Sequence, residues 1–189
     1  MNIIITAFSA FGGLTNNSSE EVLKLLSNQY HKVVLPVSYQ RAPRLLEELV
    51  LSNQPDALIC LGQAGSSSNI RLEQMAYNEA NALVPDEDQV TLTHHVLVNE
   101  GQSDLRTLFP IKEWVHNLQL EHHPLEVSCN PGRYVCNATY YRALSIIPNT
   151  IFIHLPYYKG QVENNSTLPL PIMVATIEAI MEKVKHHPF

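Results

Sequence analysis

Short apolar runs alternate with longer amphipathic segments along most of the chain. Continuously apolar, often β-branched runs are typical of strands that are covered on both faces of a sheet. Runs rich in apolar residues predict strands at residues 2–8, 32–37, 56–62, 125–128 and 150–155. Between them, apolar residues at helical spacing predict helices that begin at Ser18 and that cover 41–52, 110–119, about 132–146 and roughly 169–186.

The alternation of strands and helices predicts the fold class. Successive βαβ units favour an open, mostly parallel, twisted sheet with helices on both faces. We therefore expect an α/β protein in which residues 1–189 form a single three-layer αβα domain. The stretch from about 66 to 105 shows no clear period and is predicted to be irregular. Because ligands of such sheets bind beyond the carboxyl ends of the strands, a site is expected at that edge.

Composition and charge narrow the possible partners. The chain has 189 residues, 45% of them hydrophobic, with a formal net charge of −6 and a sequence pI near 5.8. Nucleic acids and anionic membranes attract basic surfaces, so neither is expected as a partner. No run approaches the roughly 20 apolar residues of a membrane span, and MNIIITAFSAFGG does not resemble a signal peptide. Three cysteines (Cys60, Cys129 and Cys136) make no disulfide framework, so we expect a cytoplasmic protein with reduced thiols.

Residues with chemical potential fall at the ends of several predicted strands. In chain order they are Phe8, Phe11, Gly12, Gln63, Gly65, Cys136 and His154. The glycines permit tight turns and close approach of the backbone to a ligand. The two phenylalanines either fill the core or form the walls of a flat apolar slot. All of these residues are predicted to meet at one edge of the sheet.

Cys136 and His154 each allow two interpretations. Cys136 opens a predicted helix, whose N-terminus lowers a thiol pKa, and its backbone N–H can serve as an oxyanion donor. The alternative is a thiol packed against the sheet, as most free cysteines are. His154 lies in an apolar strand and is either a hydrogen-bonded core residue or a base that faces the cysteine.

The third member of such a site cannot be chosen from spacing. Glu73 is a candidate to orient a histidine, but Glu79 and Asp86 are equally possible. The remaining histidines come mostly as doublets and form no HExxH or Cys–His ligand set, so no metal site is expected. The glycine-containing loops match no phosphate-binding pattern.

Six short motifs follow one another along the chain: AFSAFGG (7–13), PDALICLGQAGSSS (55–68), IRLEQMAYN (70–78), LVPD (83–86), SCNPGRYVCN (128–137) and IFIHLP (151–156). In this order they resemble the motifs of pyroglutamyl peptidase I, the family of pyrrolidone-carboxylate cysteine peptidases. The third corresponds to the family pattern I-x-x-E-R-x-A-x-N. The resemblance covers nearly the whole chain.

The resemblance implies a role for each candidate residue. Cys136 would be the nucleophile, His154 the general base and acid, and Glu73 the carboxylate that orients the histidine. Phe8, Phe11 and Gln63 would form part of a pocket for pyroglutamate (5-oxoproline). The implied substrates are peptides with an N-terminal pyroglutamate. No metal or organic cofactor is required, and a homo-oligomer, either a tetramer or a dimer, is expected.

Several positions depart from the family pattern. Leu83 stands where the family usually has an arginine that is thought to stabilise the oxyanion, and Gln74 replaces the arginine after the catalytic glutamate. Asn81 replaces an aspartate, and Ser67 and Ser68 replace Gly-Arg. These differences keep open a catalytically impaired relative that binds N-terminally blocked peptides or small lactams without turnover. A nucleoside-phosphorylase-like enzyme is a further alternative, which rests on α/β architecture alone.

Overall fold

The computed structural model describes residues 1–163 and 167–188. Its strands are β1 (Ile3–Phe8), β2 (His31–Leu35), β3 (Ala57–Gln63), β4 (Ile70–Glu73), β5 (Met75–Tyr77), β6 (Asp104–Arg106), β7 (Leu125–Ser128), β8 (Thr150–Leu155), β9 (Tyr157–Tyr158) and β10 (Thr167–Leu168). Its helices are α1 (Ser18–Leu25), α2 (Arg41–Asn53), α3 (Ile111–Leu120), α4 (Val135–Ile146) and α5 (Leu170–Lys185). Within these described ranges, no helix combines the length and the apolar character needed to cross a membrane.

The central sheet has the strand order β2-β1-β3-β8-β4-β7. Neighbouring strands from β2 to β8 are parallel, as the βαβ pattern predicts. β4 runs antiparallel to β8, and β7 is parallel to β4. The predicted class, an α/β fold with a mostly parallel sheet between helical layers, is therefore confirmed.

Alternate residues of the strands supply two separate cores. Ile3, Ile5 and Ala7 of β1 pack into the core that contains α1, α3 and α5, whereas Ile4 and Phe8 pack into the core that contains α2 and α4. Because successive side chains of a strand point to opposite faces, both faces of this apolar sheet are buried. The candidate site belongs to the second core, which includes Cys60, Cys136 and Phe152.

The prediction that residues 66–105 are irregular is wrong in one important respect. Residues Ile70–Glu73 form β4, which lies between β8 and β7 in the main sheet. This strand is only four residues long, and its Arg71 and Glu73 interrupt the apolar run that would have indicated a buried strand. The two short strands β5 and β6 pair with each other at either end of the long connection that follows.

Candidate active site

Cys136 lies in the first turn of α4. The helix begins after a turn in which Gly132 has a φ of +79°, and its N-cap is Tyr134, whose side chain makes no capping hydrogen bond. The first-turn N–H groups of a helix have no partner within the helix. Cys136 is partly buried, and its backbone N–H is one of these first-turn groups, which favour negative charge close to them.

His154 and Glu73 form a buried hydrogen-bonded pair. Nδ1 of His154 lies 2.8 Å from Oε1 of Glu73, and neither residue is exposed to solvent to any significant extent. The pair joins neighbouring strands, since Glu73 lies on β4 and His154 on β8. A carboxylate at Nδ1 favours the tautomer that carries its proton there, which leaves Nε2 of the neutral ring as a proton acceptor.

Other contacts hold the backbone of Glu73 and the ring of His154. The hydroxyl of Tyr140, one turn after Cys136 on α4, donates a hydrogen bond to the backbone oxygen of Glu73 at 2.9 Å. The ring of Phe152 packs against two other rings. Its centroid lies 5.4 Å from that of Tyr140 and 4.9 Å from that of His154. These contacts join α4 to β4 and β8 directly beside the candidate site.

The two alternative carboxylates have other partners. Glu79 forms an ion pair with Arg133 at 3.2 Å, and its other side-chain oxygen lies 3.6 Å from Nδ1 of His94. Asp86 accepts hydrogen bonds from backbone N–H groups, including those of Tyr39 and Val90, at 2.9 Å each. Of the three carboxylates left open by the sequence, Glu73 is the one that is bonded to His154.

A small cavity brings four of the sequence-predicted residues together. Its volume is about 90 Å³, and it is lined by Phe8, Phe11, Asn17, Val37, Gln63, Tyr134 and Cys136. A larger groove of about 680 Å³ lies elsewhere, between α3 and α5, and none of the six predicted site residues lines it. The small cavity adjoins the candidate nucleophile, Cys136.

Gln63 lines this cavity, and the oxygen of its side-chain amide already accepts hydrogen bonds from within the protein. Its Oε1 accepts hydrogen bonds from the backbone N–H of Ser18 at 2.8 Å and from Nε2 of Gln161 at 2.6 Å. The amide NH2 of Gln63 is then the part of the side chain that is left to bind a ligand. The cavity thus combines aromatic walls with a hydrogen-bond donor.

Sequence reasoning missed three of the lining residues. Tyr134 packs against Phe11 and Tyr39, with ring centroids 5.7 and 5.5 Å apart, and its hydroxyl donates to the backbone oxygen of Pro85 at 2.8 Å. Its position two residues before Cys136 was a usable signal. Asn17 and Val37 carried no such signal, because they approach the cavity only through the packing of α1 and the end of β2.

The ionisation of Cys136 differs from the expectation. Burial, and then the negative charge of Glu73, raise the pKa of the Cys136 thiol to about 12. The backbone N–H of Cys136 and the positive charge of Arg71 act in the opposite direction but do not outweigh them. The lowering that a helix N-terminus provides is therefore outweighed at Cys136 by burial and by the charge of Glu73. A neutral thiol becomes a nucleophile only when a base takes its proton.

The departures from the family pattern lie in different surroundings. Leu83 is 87% exposed and stands outside the core. The side-chain oxygen of Gln74 accepts a hydrogen bond from the thiol of Cys129 at 3.4 Å. Among residues 1–163 and 167–188, no three His, Cys, Asp or Glu side chains converge as they would around a metal ion.

The fold and the site together define a class of protein. An α/β sheet that carries a helix-terminal cysteine, a carboxylate-bound histidine and an adjoining cavity has the parts of a cysteine-dependent hydrolase. Comparison with known proteins identifies the family: the model of the pyroglutamyl peptidase family matches residues 1–186. The chain belongs to this family, which confirms the resemblance and argues against the nucleoside-phosphorylase alternative.

Individual relatives match this chain over nearly their whole length. The pyrrolidone-carboxylate peptidase of Thermosipho africanus is 32% identical over 196 residues, covering 98% of this chain and 96% of the relative. The solved pyrrolidone carboxyl peptidase of Fervidobacterium islandicum superposes with a TM-score of 0.90 at 29% identity, covering 98% of both chains. The pyroglutamyl peptidase I of Bacillus amyloliquefaciens superposes with a TM-score of 0.92 at 28% identity, covering 98% of this chain and 95% of that structure's chain.

Proposed function

We propose that this protein hydrolyses the peptide bond that follows an N-terminal pyroglutamate, with Cys136 as nucleophile. The observation that carries the proposal is the cavity in which Phe8, Phe11, Gln63 and Cys136 meet. Family membership supports the same reaction, since the relatives are pyrrolidone-carboxylate peptidases.

The cavity suits the chemistry of pyroglutamate. This residue is a small, flat lactam without a charged amine, so a site for it needs apolar walls and partners for the lactam edge. Phe8 and Phe11 supply the walls, and the amide NH2 of Gln63 donates to the lactam carbonyl. A site whose polar groups are left unpaired by the wrong residue discriminates strongly against that residue.

The proposed reaction is an acyl transfer through a thioester. Nε2 of His154 takes the proton of the Cys136 thiol, and the thiolate attacks the carbonyl carbon of the pyroglutamyl residue. The backbone N–H of Cys136 stabilises the oxyanion, and His154 returns the proton to the departing amine. Water, activated by His154, then hydrolyses the thioester and releases pyroglutamate. Glu73 holds the imidazole and stabilises the imidazolium.

Substitution of the cysteine tests this proposal. We expect Cys136→Ser to lower release of the amine from a pyroglutamyl anilide by at least about 10³-fold, because the serine is a far weaker nucleophile. Cys129→Ser is the matched control and should keep the activity of the unmodified protein. Circular dichroism of both variants checks that the fold is kept. Near-native activity of Cys136→Ser would refute the assignment.

A second candidate function is binding without turnover. The exposed Leu83 offers no cation to an oxyanion, and the pKa of the Cys136 thiol is high, at about 12. A protein of this kind would bind a pyroglutamyl dipeptide to saturation but release no pyroglutamate. Calorimetric binding and product analysis on the same sample separate the two functions.

The cellular location, the oligomeric state and the substrates of the protein are part of the same proposal. We propose that it works in the cytoplasm as a homo-oligomer, a tetramer or a dimer, because the resemblance to the family implies assembly and the cysteine content suits a reducing compartment. Peptides with an N-terminal pyroglutamate are its proposed partners. Light scattering of the purified protein measures the number of chains per particle.

A further inference from the structure

Arg71 is a charged residue beside the candidate site to which the proposed mechanism gives no role. It lies on β4 directly opposite His154 of β8, and on its other side it lies opposite Glu126 of β7. Its side chain is only 23% exposed. The family pattern I-x-x-E-R-x-A-x-N leaves this position open, so the resemblance gives Arg71 no role either.

The Nε of Arg71 makes an ionic contact with Glu73. Its Nε lies 3.6 Å from Oε1 of Glu73, which is too long for a hydrogen bond but close enough for a strong charge interaction. Within the part of the chain that the structure describes, this Nε is buried without a hydrogen-bond partner, and so is Oε2 of Glu73. A cation and a carboxylate thus face each other at the base of the site, with His154 bonded to the carboxylate.

The charges around this pair determine what the guanidinium does. Glu73 and Glu126 bring negative charge from β4 and β7, and His154 contributes a titratable ring from β8. On the same face lie the thiol of Cys60 on β3 and, on α4, the thiol of Cys136 and the hydroxyl of Tyr140. These three groups are neutral at pH 7, because burial raises the pKa of each. A thiolate at Cys136 would add a further negative charge to a site that already contains Glu73.

We propose that Arg71 is a positioning residue whose positive charge balances Glu73, so that Cys136 can lose its proton inside a partly buried site. This inference rests on the proposed function, because it gives Arg71 a part in activating the same cysteine. It also gives the site a cation although Gln74 and Leu83 stand where the family pattern has arginines. The lowering of the Cys136 thiol pKa by Arg71 agrees with the geometry.

The test measures the reactivity of the Cys136 thiol and does not depend on turnover. Each protein is treated with iodoacetamide over a range of pH, and alkylation is followed by mass spectrometry of tryptic peptides. Cleavage after Arg133 separates Cys129 from Cys136, so each thiol is read alone. Rates are compared between about pH 7 and 9, on the rising part of the profile, and we expect Arg71→Gln to shift this part of the Cys136 profile to higher pH by about 1 unit, because a nearby cation no longer favours the thiolate.

Two further variants show whether the charge is responsible. Arg71→Lys keeps the positive charge and should restore most of the original pH profile. Arg44→Gln removes an exposed arginine from α2 and should leave the profile unchanged, because solvent screens its charge. In turnover, Arg71→Gln should lower kcat by about tenfold at neutral pH with little change in KM, in proportion to the smaller thiolate fraction.

The outcomes separate this inference from the proposed function. An alkylation profile of Arg71→Gln that equals that of the unmodified protein overturns the role of Arg71, even if the enzyme is active. A shifted profile in a protein that releases no pyroglutamate supports Arg71 and overturns the proposed function. If Arg71→Gln does not fold, Arg71→Gln is combined with Glu73→Gln, so that no carboxylate is left without its cation. The double variant is then compared with Glu73→Gln alone. A shift of about 1 unit between that pair of proteins supports the role of Arg71, and no shift overturns it.

Discussion

Asn137, the residue after the candidate nucleophile, ties the start of α4 to a neighbouring strand. It is completely buried, and its side-chain amide accepts from the backbone N–H of Tyr77 at 2.9 Å and donates to the backbone oxygen of Tyr77 at 2.9 Å. A further hydrogen bond reaches the backbone oxygen of Glu79 at 2.8 Å. One side chain therefore pairs with β5 as a neighbouring strand would, and it fixes the helix turn that carries Cys136.

We expect Asn137→Ala to destabilise the protein by about 2–4 kcal/mol, because it leaves three backbone groups of a partly buried segment without a partner. Loss of this anchor should also lower kcat more than it changes KM, since Cys136 is less firmly placed. Urea unfolding and steady-state kinetics measure the two effects. Asn28→Ala, at an exposed position, is the control and should stay within about 0.5 kcal/mol. Equal stability of Asn137→Ala and the unmodified protein would contradict this account.

At the scale of elements, the strands that were predicted well are those with continuous apolar runs. Residues 125–128 and 150–155 are strands with the predicted bounds, and β1 differs by one residue. β4 was missed because polar side chains occupy alternate positions of a four-residue strand, and these are the side chains that matter for the site. No sequence period reveals that a strand is added to the sheet in the antiparallel direction.

The direction of β7 changes the explanation for the position of Cys136. The sequence predicted that the cysteine follows the carboxyl end of a strand that runs parallel to the rest of the sheet, but β7, although parallel to its neighbour β4, runs opposite to β8. Cys136 nevertheless lines the cavity with Gln63 at the end of β3. The connection α4–β8 accounts for this, because a helix that leads into a parallel strand begins near that strand's carboxyl end. Cys136 therefore reaches the cavity of Phe8, Phe11 and Gln63 for a different topological reason from the one that the sequence suggested.

The pairing of β3 with β8 also depends on a single glycine. Gly62 lies opposite His154, and a Cβ at this position would lie 2.8 Å from the Phe152 ring and 3.2 Å from the His154 ring. We expect Gly62→Ala to destabilise the protein by about 1–3 kcal/mol and to lower kcat, because the two rings must move. Thermal unfolding and kinetics measure these effects.

A second substitution tests this cause. Phe152→Leu removes the ring that the new methyl group meets, so Gly62→Ala should cost less stability in the Phe152→Leu background than in the unmodified protein. Strict additivity of the two changes would show that the contact with Phe152 is not the source of the strain.

For the whole molecule, the two faces of the sheet bury different kinds of side chain. One face is covered by α1, α3 and α5 and is a continuous apolar core, whereas the other contains the thiols, the His154–Glu73 pair and Arg71. Apolar pattern alone predicted that both faces are buried. It did not predict that one of them holds ionisable groups, because their pairing depends on contacts between residues about 80 positions apart along the chain.

The buried thiols on that second face link the stability of the molecule to alkaline pH. Cys60 is completely buried, and burial raises the pKa of its thiol to about 12. In the unfolded chain a thiol ionises near a pH of about 8.5. Between these values the unfolded state binds fewer protons than the folded state, so stability decreases as the pH rises. Below about 8.5 the thiol is neutral in both states and the full contribution is present.

We therefore expect the free energy of unfolding to fall by up to about 1.4 kcal/mol per pH unit for Cys60 between roughly pH 8.5 and 12. Cys60→Ala lowers stability at neutral pH through the space it leaves, but it should make the alkaline decrease shallower by that amount. Cys129→Ser is the matched control, and it should keep the original slope because that side chain is exposed in the folded protein. Urea unfolding at closely spaced pH values gives the slopes, and identical slopes for Cys60→Ala and the unmodified protein would show that the buried thiol does not couple folding to pH.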